Sequence, residues 1–358
     1  MSDRGDLRCR RPASATTGPP RFSSHLAMLF RYRLRALARG LALVTAFGIA
    51  ACGGSDTPAD PDPPDDDGGD PSITIPARGT EATFDVATWN VEWFGDPGNG
   101  PTDEELQRDR VRDVMNGAEI DLWALQEIVG GADFDALLAE VPGFSGLLAD
   151  DPSVQGGPTW YRDFGDREQK LALVYRSSAV TVRGARIILT EENFSFAGRP
   201  PMEVEVTVSI GGASVDAVIV MLHAKSSPDA ESLARRTAAS VALETYLDIT
   251  WPTTPVWVLG DFNDDIDTSI RLGEESPYRN FVDAADWSFT TAALSQQGVS
   301  STVGFSDMID HHLTSDEADG GYVAGSAEVF RVDQWIPSYG TTTSDHYPVV
   351  ARYTLAGG

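Results

Sequence analysis

Two runs without a polar side chain, Val218–Leu222 and Val256–Leu259, constrain this chain more than any other feature. Four or five consecutive apolar residues offer water no polar face, and runs this short have strand length, so each reads as a central strand covered on both sides. Both end abruptly in polar residues. The first meets His223, with Lys225 two residues on, and the second meets Gly260-Asp261-Phe262-Asn263. The same ending recurs elsewhere. Phe84–Trp89 gives way to Asn90 and Glu92, and Leu122–Leu125 to Gln126 and Glu127. Met308-Ile309 precedes Asp310-His311-His312, and Ser344-Asp345-His346 precedes Tyr347-Pro348-Val349-Val350. Carboxylates and imidazoles at the rim of a core are costly unless hydrogen-bonded, paired or bound to a cation. If the rims converge, they form a cleft carrying carboxylates, amides and imidazoles.

Further strands are expected at Leu171–Tyr175, Met202–Val208, Val215–Leu222 (which contains the first run) and Tyr347–Tyr353; Met202-Glu203-Val204-Glu205-Val206 alternates as an antiparallel strand with one wet face would. A first helix opens at Thr102, with Glu105 at capping-box spacing and Asn116-Gly117 as its stop. A second follows Pro228-Asp229, takes Ala234, Ala238, Val241 and Ala242 as its core stripe, and ends at Trp251-Pro252. Strands outnumber helices, which suggests α/β layers of packed sheets with helices outside. Trp89, Trp93, Trp123 and Trp257 read as core, and Phe262 as packing beneath the polar cleft.

The N-terminus reads as an address. Residues 1–51 carry nine arginines against Asp3 and Asp6, with a cationic stretch Arg31–Arg39 followed by the eleven apolar or small residues Leu41–Ala51. That is a secretory signal, and Ile49-Ala50-Ala51-Cys52 resembles a bacterial lipobox whose cysteine is lipidated. Met28, just before the cationic stretch, is an alternative start to Met1. Residues 52–72 are an Asp/Pro/Gly-rich tether, and 73–358 form one domain. No other apolar run approaches the roughly 18 residues that span a bilayer. The expected location is therefore exported and lipid-anchored at Cys52, most simply to the outer membrane, facing the periplasm or the cell surface.

Removing residues 1–51 takes the net charge from −27 to near −34. A broad cationic surface for phosphate backbones is not expected, so an anionic substrate is met locally or through bound cations. A cleft rich in oxygen donors and free of thiolate favours a hard divalent cation, Mg²⁺, Mn²⁺ or Ca²⁺, which suits phosphate ester cleavage.

The series Thr88-Trp89-Asn90, Leu125-Gln126-Glu127, Leu222-His223, Gly260-Asp261-Phe262-Asn263, Ile309-Asp310 and Ser344-Asp345-His346 resembles the endonuclease/exonuclease/phosphatase superfamily, with its motifs in the family's order over residues 84–355. The resemblance implies a four-layer α/β/β/α sandwich, two mixed β-sheets flanked by helices, with the site at one end of the sheets. It also implies roles. Glu127 is the principal metal ligand with Asn90 beside it, and Asp345 joins the metal shell. Asp261 orients or deprotonates the attacking water, and Asn263 holds a phosphoryl oxygen. His223 and His346 contact the phosphate, one of them serving the leaving group, and Asp310 fixes the His346 tautomer. Lys170 is the candidate phosphate contact ahead of Arg167, and Lys225, the chain's only other lysine, is a second. His311-His312, where the family often has an aromatic residue, adds a ligand or is a solvated loop, the latter being preferred. Asp264-Asp265-Ile266-Asp267 reads as a solvated loop rather than a calcium site.

The expected function is metal-dependent hydrolysis of phosphodiesters or phosphomonoesters, foremost by an exported nuclease acting on DNA or RNA. A sphingomyelinase-like phospholipase or an inositol-phosphate-type phosphatase is the enzymatic alternative, the former needing an exposed apolar hairpin for which 264–307, with Tyr278, Phe281, Trp287 and Phe289, is the place to look. A non-catalytic surface-binding lipoprotein is the alternative of another class. No protein partner is evident.

Overall fold

The computed structural model describes residues 73–161 and 168–355. The signal region, Cys52, the tether and Arg167 lie outside the described residues. Among the described residues there are two six-stranded sheets. The first contains β1 (Phe84–Phe94), β2 (Leu122–Ile128), β3 (Phe144–Leu148), β4 (Lys170–Arg176), β11 (Glu328–Val329) and β12 (Val349–Tyr353), in the order β11-β12-β1-β2-β4-β3. The second contains β5 (Val180–Ile187), β6 (Met202–Ile210), β7 (Ala213–His223), β8 (Val256–Asp261), β9 (Trp287–Phe289) and β10 (Asp310–Ser315), in the order β5-β6-β7-β8-β10-β9. Each sheet is mixed: β1/β2 and β7/β8 are parallel, and their neighbours are antiparallel.

The unbroken apolar runs follow from this layering. In a strand, alternate side chains point to opposite faces. Ile219 and Met221 join Trp257 and Leu259 between the sheets, against Phe84, Val86, Leu122 and Leu173. Val218, Val220 and Leu222 face outward with Val256 and Val258 under Ala239, Leu243 and Leu247 of α4 (Ala230–Thr250). On the far side Trp89, Trp123 and Leu125 pack beneath α1 (Glu104–Ala118) and α2 (Gly131–Glu140), while α3 (Gly157–Trp160) is a single turn. The structure is thus the expected α/β/β/α sandwich. No helix among the described residues is long and apolar enough to cross a membrane.

Several local expectations are corrected. The cap of α1 is Asp103, whose Oδ1 accepts from Leu106 N at 3.0 Å, not Thr102. The helix runs through Asn116-Gly117 and is closed by Glu119 in the left-handed region. Gly117 is a close approach instead of a stop, since a Cβ there would lie 2.6 Å from the Ile75 Cβ. On α4, capped by Asp229 as expected, Ala234, Ala238 and Val241 face solvent. Its buried face is Ser232, Arg236, Ala239, Ser240, Leu243 and Leu247, because the helix turns an arginine inward.

Candidate active site

Parallel pairing sends the C-terminal ends of β1, β2, β7 and β8 the same way, and β10 begins where β8 ends. His223 and Asp310 therefore both sit opposite Asp261 in register, while Asn90 pairs with Gln126 beside Glu127. Gly260 is what lets β8 close on β7: a Cβ there would stand 2.1 Å from the Leu222 carbonyl oxygen. Gly260→Ala is expected to cost about 1–3 kcal/mol by forcing the two strands apart, read as a lowered denaturation midpoint together with loss of activity.

The six motifs meet. Asn90 Nδ2 donates to Glu127 Oε1 at 3.1 Å and to Asp261 Oδ2 at 3.2 Å, joining the two sheets. Glu127 is in the left-handed region, and its Oε2 accepts from Trp93 N at 3.1 Å. Asn263, also left-handed, closes on Asp261 through its backbone N at 2.8 Å and its Nδ2 at 2.9 Å. Non-glycine residues held in this region mark sites where surrounding structure fixes a strained backbone. His223 Nε2 lies 3.4 Å from Asp261 Oδ2 and 3.6 Å from Glu127 Oε1. His346 Nδ1 is 2.8 Å from Asp310 Oδ2, which also accepts from Ser301 Oγ at 2.7 Å. Ser344 Oγ donates to Asn90 O and accepts from His346 N, tying the last motif to the first.

The environments push the two histidines apart. Burial, reinforced by the charges of Arg199 and His346, holds His223 well below the usual imidazole range. Burial acts the same way on His346, but the Asp310 and Asp261 carboxylates outweigh it and hold that ring well above the range. Near neutral pH His223 is neutral and His346 is an imidazolium, the split that assigns acid and base. Burial raises Asp261. Glu92 is pushed up to about 7 by burial and then by the Asp345 carboxylate.

The donor set fits a hard divalent cation. Asp261, Asp310 and His346 offer ligand atoms within 4.8 Å of one another, and Asp310 Oδ1 and Glu92 Oε2 are buried without a hydrogen-bond partner among the described residues. Carboxylates crowded with oxygens to spare are what Mg²⁺ or Mn²⁺ bind. Asn90 serves here as a donor between two carboxylates, with its Oδ1 accepting from Glu92 N. Asp345 stands at the mouth, its side chain 47% exposed.

The two lysines are not brought into the cleft. Lys170 is fully buried; its Nζ donates to Val129 O and lies 3.7 Å from Asp150, and it does not line the cleft. Lys225 donates to Ser226 O and is likewise outside the lining. The guanidinium in the cleft of roughly 560 Å³ is Arg199, which reaches Ala224 O at 3.0 Å and Gln169 Oε1. Arg199-Pro200-Pro201 precedes β6 with no flanking polar pattern, so nothing in the sequence singled it out. His311 and His312 are neither ligands nor solvated; they are wholly buried on β10, His311 between Thr291 Oγ1 and Met308 O, and His312 against Val349 O. Asp264 and Asp265 are buried staples instead of a wet loop. Asp264 pairs with Arg236 at 2.6 Å, and Asp265 accepts from Met308 N and Ser295 Oγ. Tyr278, Phe281, Trp287 and Phe289 are all buried. Phe262 packs beneath the site as expected, edge-on to Tyr278 and His311. Trp89, Trp123 and Trp257 are core, whereas Trp93 lines the cleft.

The family model described as Endonuclease/Exonuclease/phosphatase family matches residues 87–346. Among solved structures, an endonuclease/exonuclease/phosphatase from Bacteroides vulgatus is 17% identical at a TM-score of 0.54, covering 76% of this chain and 99% of that one. D. rerio TDP2 complexed with single strand DNA product is 14% identical at 0.52, covering 76% and 100%. The human Nocturnin catalytic domain with bound sulfate is 17% identical at 0.51, covering 77% and 95%. These likenesses are of fold. No curated protein matches the sequence.

Proposed function

We propose that this chain, which belongs to the endonuclease/exonuclease/phosphatase family and so is a hydrolase acting on phosphate esters, is a metal-dependent phosphodiesterase that cleaves nucleic acid outside the cell. The observation that carries the reading is the convergence of Asn90, Glu127, His223, Asp261, Asn263, Asp310 and His346 on one cleft with Arg199 in its wall. Glu127, with the Glu92 and Asp345 carboxylates beside it, would hold the cation, leaving Asp261 and His346 to move protons. Bound there, it supplies neutralisation of charge on a phosphoryl oxygen.

The chain's own groups do the rest. Asp261, held by Asn90 and Asn263, orients a water and takes its proton as that water attacks phosphorus. The Asn263 amide and the Arg199 guanidinium stabilise the equatorial oxygens as charge develops. Neutral His223 accepts a hydrogen bond or donates one without adding charge beside Asp261. The His346 imidazolium, backed by Asp310, gives its proton to the departing oxygen. The D. rerio TDP2 neighbour, which holds a single strand DNA product, supports nucleic acid as the substrate. Cys52 would anchor the enzyme to the bacterial membrane through a lipid, which a shift in mass of the mature N-terminus on lipid removal would test.

Full-length chain stripped of metal, then given Mg²⁺, Mn²⁺ or Ca²⁺, is offered DNA, RNA, p-nitrophenyl phosphate and sphingomyelin. Metal-dependent cleavage of nucleic acid is expected; sphingomyelin as the preferred substrate, or no hydrolysis of any, would contradict the reading. Arg199→Ala is expected to reduce kcat/KM by about 10²-fold, whereas Lys225→Ala leaves it within a few-fold and Lys170→Ala lowers the denaturation midpoint because a buried cation's partners lose it. Equal kinetic losses in Arg199→Ala and Lys225→Ala would remove Arg199 from the site.

A further inference from the structure

Two aromatic side chains line the catalytic cleft, and the mechanism uses neither. Trp93 and Phe305 border the space shared by Glu127, Asp261 and His346. Phe305 is 68% exposed, a large apolar surface left in water at the rim of a reactive centre. The backbone beneath each is fixed. Glu92 and Trp93 are consecutive left-handed residues, φ 48° and 51°. Gln107, buried on α1, donates to the carbonyls of Val91, Glu92 and Thr343 and pins that turn. Gly100 admits it, since a Cβ there would lie 2.8 Å from Glu92 O and 3.1 Å from the Trp93 Cβ. Trp93 N in turn holds Glu127, so the indole's position is tied to the reacting centre. Phe305 closes a turn on Thr302 Oγ1, and Val303 N donates to Asp345 O, next to His346.

The charge of the cleft is the second observation. Among the described lining residues the only fixed cation is Arg199, against the carboxylates of Glu127, Asp261, Asp307 and Asp345. A duplex is gripped through many phosphates by many cations, and its paired bases keep their faces against one another. A strand with unpaired bases offers those faces to aromatic side chains, and stacking then supplies the binding with few phosphate contacts. The cleft volume of roughly 560 Å³ is of the size that takes one or two nucleotides.

Resting on the phosphodiesterase reading, we infer that Trp93 and Phe305 are substrate platforms that stack an unpaired base beside the scissile phosphate, making single strands or unpaired ends the substrate class. Full-length chain with Mg²⁺ is given three labelled substrates of equal length: a single strand, its duplex, and a strand of abasic residues. The expected kcat/KM for the normal strand exceeds that for the abasic strand by about 5- to 150-fold, the range for one stacked base. The duplex is also expected to be poorer. The dependence of log affinity on log salt should be shallower than about 1.5, two phosphate contacts' worth for a single strand. Phe305→Ala and Trp93→Ala each shrink the normal-over-abasic preference, and Trp93→Phe keeps most of it; Phe305, being exposed, can be removed without unfolding the domain.

A preference that survives in both alanine variants overturns the platform, as does a duplex preferred with a steep salt slope. So does faster cleavage of zwitterionic phospholipid micelles, which would make Phe305 a lipid contact. Cleavage of all three strands at equal rates defeats the platform alone. Failure to cut any strand with Mg²⁺ or Mn²⁺ defeats the phosphodiesterase reading and the platform with it.

Discussion

Exchanging Asp310 for asparagine is expected to lower kcat by about 10²–10⁴ while moving KM only a few-fold. Asp310 is wholly buried, one oxygen shared between His346 Nδ1 at 2.8 Å and Ser301 Oγ at 2.7 Å. It gives His346 its counter-charge and fixes which ring nitrogen faces the cleft. An amide carries no charge and can present its NH₂ to Nδ1, which leaves the ring neutral with its one proton on Nε2, a far weaker acid than the imidazolium. The change is also visible in pH. In the native protein the His346 pKa is raised, so the imidazolium persists as pH rises above the ordinary range and is lost only as pH passes the raised value. In Asp310→Asn that limit falls, and the alkaline limb of the kcat profile moves to lower pH. A kcat within threefold of native, or an unmoved alkaline limb, would separate Asp310 from proton transfer. Ser301→Ala, which removes the hydroxyl's bond to Asp310 and the two it accepts from Ile309 N and Asp310 N but no charge, should cost about tenfold or less.

Arg236→Ala is expected to destabilise the fold by about 3–5 kcal/mol, the usual loss when one member of a buried ion pair is removed. Its guanidinium is fully enclosed, with Nη2 2.6 Å and Nε 2.8 Å from Asp264 Oδ2, and Nη1 on the carbonyls of Lys225 and Ser227. One side chain thus ties α4 to both segments that carry the cleft wall: the loop after β8, with Asn263, and the loop after β7, with Ser226 and Ser227. Asp264 left alone would keep the hydrogen bonds donated by Ser269 Oγ and Ile270 N, which do not balance a buried charge. The double variant Arg236→Met with Asp264→Leu should lose less than the sum of the single changes, because it removes the stranded charge. Denaturant unfolding of the four proteins measures this. Additive losses would show that the pair is not coupled.

The core of the fold was legible because the layering forces it. A strand covered on both faces must be apolar at every position, as Val218–Leu222 and Val256–Leu259 are, and the polar residue ending each run marks where the sheet meets water. The edge strands β3, β5, β9 and β11 are not legible in the sequence, nor is β10: each is very short or interrupted by polar residues or glycine, with no sustained apolar run or alternation, and owes its pairing to its sheet neighbour. The residues that meet at the cleft are legible as a family pattern, residue by residue. The guanidinium in the cleft wall is not. Lys170 stands where the resemblance wants a phosphate contact and Lys225 is the chain's only other lysine, yet Lys170 is buried and turned to Val129 O, Lys225 turns to Ser226 O, and the cleft's guanidinium is Arg199, just ahead of β6. The Asp264-Asp265 run and the α4 stripe failed for a shared reason. Local polarity misleads in both, because a single buried arginine, Arg236, draws Asp264 inward and sets the helix so that Ala234 and Ala238 face solvent.

The central claim is that Glu127 and Asp261 belong to one metal-dependent phosphodiesterase site, and their isosteric amides test it most directly. Native chain, Glu127→Gln and Asp261→Asn are each titrated with Mg²⁺ while cleavage of a single-stranded oligonucleotide is followed. The account predicts saturable metal activation of the native enzyme, and in both variants a rate lower by at least about 10³-fold with folding intact by circular dichroism. Cleavage at the native rate in either variant, or native activity indifferent to chelation, would contradict it.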